Sequence, residues 1–424
     1  MSDYFDTLET RDPALREQML LQALPKQIAH AQAHSAAMRE ILAGVDPAKT
    51  NSRAALARLP VTRKQELFER QKALRAVGQS GPIGNYEVFG GFSAIRYGAS
   101  MPRLFASPGP IYEPDGTAKD YWRMARAMFA AGFRRGELIH NCFSYHFVPA
   151  GAMMESGAHA LGCTVFAGGT GQTEQQVQAM EQLRPAGYIG TPSFLKIIWE
   201  KAQEMKVALP SVTKALLGGE AFPPSLRDWL AERGVNAYQS YATADLGLIA
   251  YETAARQGLV LDEGVLLEIV RPGTQDPVPD GEVGEVVVTS FNPDYPLIRF
   301  GTGDLSAVLS GPCPSGRSNT RIKGWMGRAD QTTKIRGMFV HPSQVADIAK
   351  RFPEIVKARL VVSGEMANDQ MTLSVETFSS AEGLSERIGE AVRDVTKLRG
   401  AVQLVAPGSL PNDGKVIEDA RSYK

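Results

Sequence analysis

ELIHNCF (137–143), CTVFAGG (163–169), GYIGTP (187–192), KALLGGE (214–220) and AYQSYAT (237–243) are short apolar runs closed by polar or glycine-containing loops. Between them lie segments with helical spacing of apolar residues: Met153 to Leu161, Thr173 to Leu183, Phe194 to Met205 and Ser225 to Arg233. Strand and helix alternating at this interval predict a parallel sheet with helices on both faces, and ligand loops beyond the carboxyl ends of the strands. Those loops are Gly168-Gly169-Thr170-Gly171, Gly190-Thr191-Pro192-Ser193, Gly218-Gly219-Glu220 and Tyr241-Ala242-Thr243. One such loop says little, but four in succession suggest a nucleotide-sized site.

Downstream the chain becomes β-rich, with VLLEIV (265–270), EVGEVVVTS (282–290) and PLIRFGTGDLSAVL (296–309) separated by Pro-Asp-Gly and Asn-Pro-Asp turns. From residue 342 a separate pattern follows: a helix over 342–351, strands KARLVVSG and QMTLSVETF, a helix from Ala381 to Leu398, strand AVQLVA and a Gly/Asn loop ending at Lys415. The expected fold class is therefore α/β: a large N-terminal domain, residues 1–329, with mostly parallel sheets wrapped by helices and a β-rich subregion over about 260–329, then a small C-terminal α+β domain, residues 330–424.

Upstream, residues 13–44 read as mostly helical, with Pro25 expected to break or kink the run, and a further short helix follows an entry at Thr62. Residues 85–107 read as short strands with glycine breaks. They lead into the loop Ser107-Pro108-Gly109-Pro110-Ile111-Tyr112-Glu113-Pro114, ahead of a helix expected over 117–132. A strand-to-helix loop is a favoured anion site, since free N–H groups gather there. Here three prolines remove N–H groups, one glycine remains, and Glu113 adds a carboxylate.

The whole-chain numbers narrow the function. A chain of 424 residues with 43% hydrophobic composition supplies two or three domains' worth of core. The 46 basic and 46 acidic residues balance without runs of like charge, which argues against nucleic-acid or polybasic membrane binding. The acidic start MSDYFDTLETRDP is unlike a secretory signal, and no apolar run reaches the roughly 18 residues of a span, so a cytoplasmic protein is expected. Cys142, Cys163 and Cys313 are too scattered for a disulfide framework, and the six histidines include no His-Glu-x-x-His pair.

The ordered combination of Thr-Pro-Ser, Gly-Gly-Glu, the Tyr241 loop, Gly-Glu-Val-Gly-Glu-Val, Pro296 to Asp304, Gly-Arg-x-Asp and the late Gly-Lys resembles the phenylacetate-coenzyme A ligases of the acyl-adenylate-forming superfamily. The similarity runs from DYFDTLET to the C-terminal loop. It implies a reaction in two halves: a carboxylate attacks the α-phosphate of ATP, then a mobile small domain turns and the thiol of coenzyme A displaces AMP. The implied ligands are ATP/AMP, Mg²⁺, coenzyme A and a small or aromatic carboxylic acid; a homodimer is left open.

The resemblance also assigns residues. Asp304 matches the ribose-binding carboxylate, with Arg328 in the same ribose and phosphate region and Arg299 where a helper cation would stand. Adenine is expected against Gly218, Gly219 and Glu220 and the ring of Tyr241. Lys415 matches the catalytic lysine that reaches the α-phosphate and the carboxylate, and Asp330 the hinge. Tyr145, His146, Phe147 and Val148 fall on the acyl pocket, with Tyr145 replacing an aromatic wall residue and His146 available to a polar substituent.

The departures from the pattern concern phosphate. Ser107, Gly109 and Glu113 stand where the family has a Ser/Thr/Gly-rich loop ending in Lys-Pro. Ala244 replaces a hydroxyl residue, with Thr243 one position early after Ala242, and Asp245 replaces the Mg²⁺-binding Glu. Some relatives hold a structural zinc, but Thr253, Val260 and Ser315 occupy the ligand places beside Cys313, so no zinc is expected. Two other functions fit these departures: a relative that handles preformed acyl-adenylates or thioesters without cleaving ATP, and a non-catalytic nucleotide or acyl-CoA binding protein.

Overall fold

The computed structural model describes residues 3–77, 84–271, 274–326, 328–329, 333–340, 342–364, 368–379, 381–411 and 415–421. The chain divides into two compact units, Met1–Gly327 and Arg328–Lys424.

In the first unit a two-residue strand, β1 (Thr62–Arg63), is followed by a hairpin of β2 (Arg103–Ser107) and β3 (Ile111–Asp115). The strand–helix alternation comes next, as β4 (Leu138–Asn141), β5 (Thr164–Ala167), β6 (Gly187–Gly190), β7 (Lys214–Leu217) and β8 (Asn236–Thr243). Adjacent pairs among these five are all parallel, in the order β5-β4-β6-β7-β8. Beyond β8 the same sheet turns antiparallel through β9 (Gly247–Glu252) and β10 (Leu259–Leu261).

A second sheet takes β11 (Val265–Val270), β12 (Gly284–Ser290) and β13 (Phe300–Ser306), with β1 alongside β13 in parallel. Two further short strands, β14 (Val308–Leu309) and β15 (Arg321–Ile322), return the chain to the edge of the nine-stranded sheet, next to β10. Every residue of β12 is buried, as its run of valines requires: Val286, Val287 and Val288 face cover on both sides of the sheet, each contributing about 1.5–3 kcal/mol of burial.

The second unit is a four-stranded sheet packed by two helices, Pro342–Lys350 and Leu384–Thr396, around Leu360, Leu373, Val375, Ile388 and Val392. Ile417–Asp419, just after Lys415, pairs in parallel with Ile355–Ser363.

The helix at Thr173–Leu183 has the expected bounds, and those at Ala150–Leu161, Pro192–Glu204 and Pro224–Ala231 start one to three residues earlier than the spacing predicts. Other expectations are corrected. The helix Pro13–His34 continues through Pro25 without a break. Residues 85–100 are not strands: Asn85–Val88 is a helical turn, and Gly90 and Gly91 at φ 62° and 77° end any extended run. The helix expected over 117–132 is confined to Ala125–Ala130, because the Asp120 carboxylate caps the N–H groups of Met124 and Ala125 and fixes the start there. Ser107 to Pro114 is accordingly a β-hairpin, not a strand-to-helix loop.

Candidate active site

Two sheets meet at the carboxyl end of β8. Tyr241 ends the parallel run and donates its hydroxyl to Asp304 Oδ2 on β13 at 2.8 Å, with Thr302 Oγ1 at 3.1 Å. Thr302 donates to the Val286 carbonyl and accepts from the Asp304 N–H, so the acid, the tyrosine and the threonine form one bonded group. The other Asp304 oxygen, Oδ1, accepts from the indole N–H of Trp325 at 3.1 Å. Nothing in the spacing of the sequence marks Trp325.

The glycine loop after β7 stands next to this group. Gly218 is buried, with Ser240 and Phe143 in front of it, while Gly219 and Glu220 reach the surface. Glu220 accepts from the Ser193 N–H at 2.6 Å, binding the loops after β6 and β7 together. The loop Gly168–Gly171 is held by Gln176, whose amide donates to the Gly168 and Gly171 carbonyls and whose oxygen meets His140 at 2.6 Å.

A buried charged cluster lies where the start of the helix Lys64–Val77, the β2–β3 hairpin and the turn after β8 come together. Asp245, 6% exposed, pairs through Oδ2 with Lys64 Nζ at 2.9 Å, and its Oδ1 is buried without a hydrogen-bond partner. Lys64 arrives from the far end of the sequence because β1 pairs with Phe300 and Gly301 of β13, which brings the start of the helix Lys64–Val77 beside the site. Glu113, 2% exposed, accepts from the Ser107 N–H at 3.1 Å and hydrogen-bonds the Ser107 hydroxyl. Burial first, and then the negative charge of Asp245, push Glu113 up to about 8 against the opposing pull of Lys64 and the Ser107 bonds. The hairpin therefore presents a largely neutral acid at pH 7, which removes the charge conflict the sequence suggested. Tyr295, also fully buried, has an unpartnered hydroxyl whose acidity is suppressed by burial and by the nearby Asp245 and Glu113.

At the end of β4, Asn141 donates to both the Tyr145 hydroxyl at 2.8 Å and the Gly151 carbonyl at 2.9 Å, fixing the half-buried tyrosine. Burial and a hydrogen bond with Glu155 raise the Tyr145 pKa. A side chain at position 151 would meet the Ser144 carbonyl and the Tyr145 ring at 2.8 Å, so glycine is needed for the approach. A cavity of about 470 Å³ lined by Arg103, Asp115, Lys119, Glu155 and His159 opens behind Glu155 and includes none of Gly218, Tyr241, Thr302 and Asp304.

Three expected site residues are placed elsewhere. Arg299 is completely buried: Nε and Nη2 pair with Glu268 at 2.9 and 3.1 Å, and Nη1 and Nη2 bond the carbonyls of Ala57, Leu59 and Gln275. It is a tie between segments rather than a helper cation. His146 and Phe147 are exposed, Phe147 by 82%, and so do not wall a pocket; the Phe147 carbonyl instead accepts from Ala106 of β2. Val148 is half-buried. Thr243 uses its hydroxyl to accept from Leu246 N–H in the turn that carries Ala242 and Asp245. Arg328, half-buried, and Lys415, exposed, belong to the second unit, and Asp330 lies outside the described residues. Among the described residues no three His, Cys, Asp or Glu side chains group as metal ligands, and no helix is long and apolar enough to cross a membrane.

A family model described as AMP-binding enzyme matches residues 117–292. The phenylacetate-coenzyme A ligase of Thermus thermophilus is 29% identical over 405 residues, spanning 87% of each chain. That of Aromatoleum evansii is 30% identical over 349 residues, 78% of this chain and 74% of the relative. A 2-hydroxyisobutyryl-CoA ligase solved with 2-HIB-AMP and CoA superposes with a TM-score of 0.83 at 25% identity, over 100% of this chain and 93% of that one. An amide bond synthetase from Marinactinospora thermotolerans shares the fold, with a TM-score of 0.54 at 18% identity over 74% of this chain and 66% of its own. With a relative 30% identical over 78% of this chain and 74% of its own length, the chain belongs to the phenylacetate-coenzyme A ligase family.

Proposed function

We propose that this protein is an ATP-dependent acid–coenzyme A ligase working through an acyl-adenylate. The carboxylate oxygen of the acid bonds to the α-phosphorus as pyrophosphate leaves, and the thiol of coenzyme A then bonds to the acyl carbon as AMP leaves. The observation that carries the reading is the bonded group of Tyr241, Thr302 and Asp304, set beside the glycine loop after β7 in a chain of this family. Asp304 accepts the ribose hydroxyls, and Tyr241 and the backbone of Gly218–Glu220 receive the adenine.

Charge must be neutralised as the phosphorus is attacked. Lys415 meets the α-phosphate and the attacking carboxylate in the first half-reaction, and Arg328 serves the ribose and phosphate edge. The small domain turns at Asp330 for the second half-reaction. Lys64 supplies the cation that the hairpin Ser107–Pro114 lacks. For Mg²⁺, the buried and unpartnered Asp245 Oδ1 fits one carboxylate position of a site completed by substrate phosphates, and the metal would add charge neutralisation there. Tyr145, Phe143 and Gly151 bound the acyl group, which suits a small or aromatic acid. A cytoplasmic location goes with these substrates.

The test combines ATP, Mg²⁺ and coenzyme A with a panel of aryl and short aliphatic acids and measures pyrophosphate and AMP. Acid-dependent release of both is expected; release of neither by folded, AMP-binding protein would overturn the proposal.

A further inference from the structure

Trp325 stands over the carboxylate at the centre of the site. Asp304 is 9% exposed, whereas Trp325 is 40% exposed, so the indole lies on the solvent side of the acid it bonds. The backbone beneath the ring is pinned along β13: Lys323 N–H donates to Ala307, Met326 N–H to Leu305, and the Ser306 hydroxyl to the Gly324 carbonyl at 2.7 Å. Displacing the indole from Oδ1 would therefore call for rotation of a side chain on a fixed base.

The hydrogen-bond inventory gives that rotation a partner. An indole has one donor and no acceptor, while an ionised carboxylate accepts only. Asp304 receives Tyr241 on Oδ2 and Trp325 on Oδ1. A ribose 2′,3′-diol brings two O–H donors at the spacing of two carboxylate oxygens; each oxygen can accept more than one bond, but the indole covers Oδ1 from the solvent side, the side from which a sugar arrives. We propose that Trp325 is an internal competitor for the ribose-binding carboxylate, a cap that a vicinal diol displaces and a nucleotide without one does not. This rests on the reading of Asp304 as the ribose acceptor. Trp325 then contributes specificity: it keeps the acid hydrogen-bonded in the empty site and makes the diol the key to it.

The test uses calorimetry of the full-length protein with AMP and with 2′,3′-dideoxyadenosine 5′-monophosphate. Trp325→Phe keeps a ring but removes the N–H, and an unchanged melting temperature verifies its fold. AMP should bind Trp325→Phe about tenfold more tightly, the size of one hydrogen bond to a charged group, with the dideoxy nucleotide unchanged. The tryptophan emission of the native protein should shift with AMP, and this shift should be absent in Trp325→Phe and with the dideoxy nucleotide. Unchanged or weaker AMP binding by Trp325→Phe would overturn the cap. Equal binding of AMP and the dideoxy nucleotide by the native protein, with Asp304→Asn binding AMP normally, would instead overturn the ribose reading itself.

Discussion

The hydroxyl of Tyr241, at the end of the parallel strands, donates to the carboxylate of Asp304, in the middle of a different sheet, at 2.8 Å. One bond thus fixes the relative position of the loop expected to hold the base and the acid expected to hold the sugar. Tyr241→Phe removes only the hydroxyl and should weaken AMP binding by about three- to tenfold in calorimetry, the range of a typical net hydrogen bond. Unchanged affinity would mean that the bond does not orient the acid.

Lys64→Met leaves Asp245 buried with neither oxygen paired to a cation. Both stability and the KM for ATP should suffer, KM by about tenfold or more. The double variant Lys64→Met with Asp245→Asn removes both charges and should recover the melting temperature without recovering KM. Recovery of both would reduce Lys64 to a structural partner.

Glu113 gives a pH dependence whose sign follows from its raised pKa of about 8. In the unfolded chain the carboxyl ionises near 4.5, so between the two values the folded state holds more protons and stability falls as pH rises. The favourable contribution is fully present below pH 4.5 and lost as pH passes 8. Glu113→Gln should raise the melting temperature at pH 9 by roughly 2–5 °C and leave it near the native value at pH 5. A constant difference across that range would contradict the assignment.

Arg299 and Phe147 separate fold from site. Arg299→Ala strands the buried Glu268 carboxylate and should cost about 3–5 kcal/mol, seen as a large fall in melting temperature. Phe147→Ala removes an exposed ring and should leave kcat and KM within about twofold. A Phe147→Ala enzyme with normal stability and a much higher KM for the acid would restore that residue to the acyl pocket.

These same residues explain what the sequence could convey. The alternation from Glu137 to Thr243 was legible because period and loop chemistry are local, and the helix Thr173–Leu183 has the bounds its spacing predicts. Lys64 was not legible, since its partner Asp245 lies 181 residues away and only the parallel pairing of β1 with β13 brings the two together. Arg299 misled for the opposite reason: it sits within the motif around Asp304, but its side chain turns into the protein to meet Glu268 and three carbonyls, and burial of that kind leaves no periodic trace. Glu113 looked like a charge in a phosphate loop; only the hairpin shows it bonded to Ser107 and shielded from solvent.

In the proposed reaction an organic acid drives cleavage of ATP at the α-phosphate in this site. The most direct measurement is pyrophosphate release across a panel of aryl and short aliphatic acids with ATP, Mg²⁺ and coenzyme A, using Lys415→Ala as the control. At least one acid should give pyrophosphate and AMP with the native protein, and Lys415→Ala should reduce the rate by about a hundredfold or more. No pyrophosphate with any acid, from a folded protein that binds AMP, would rule out this reaction.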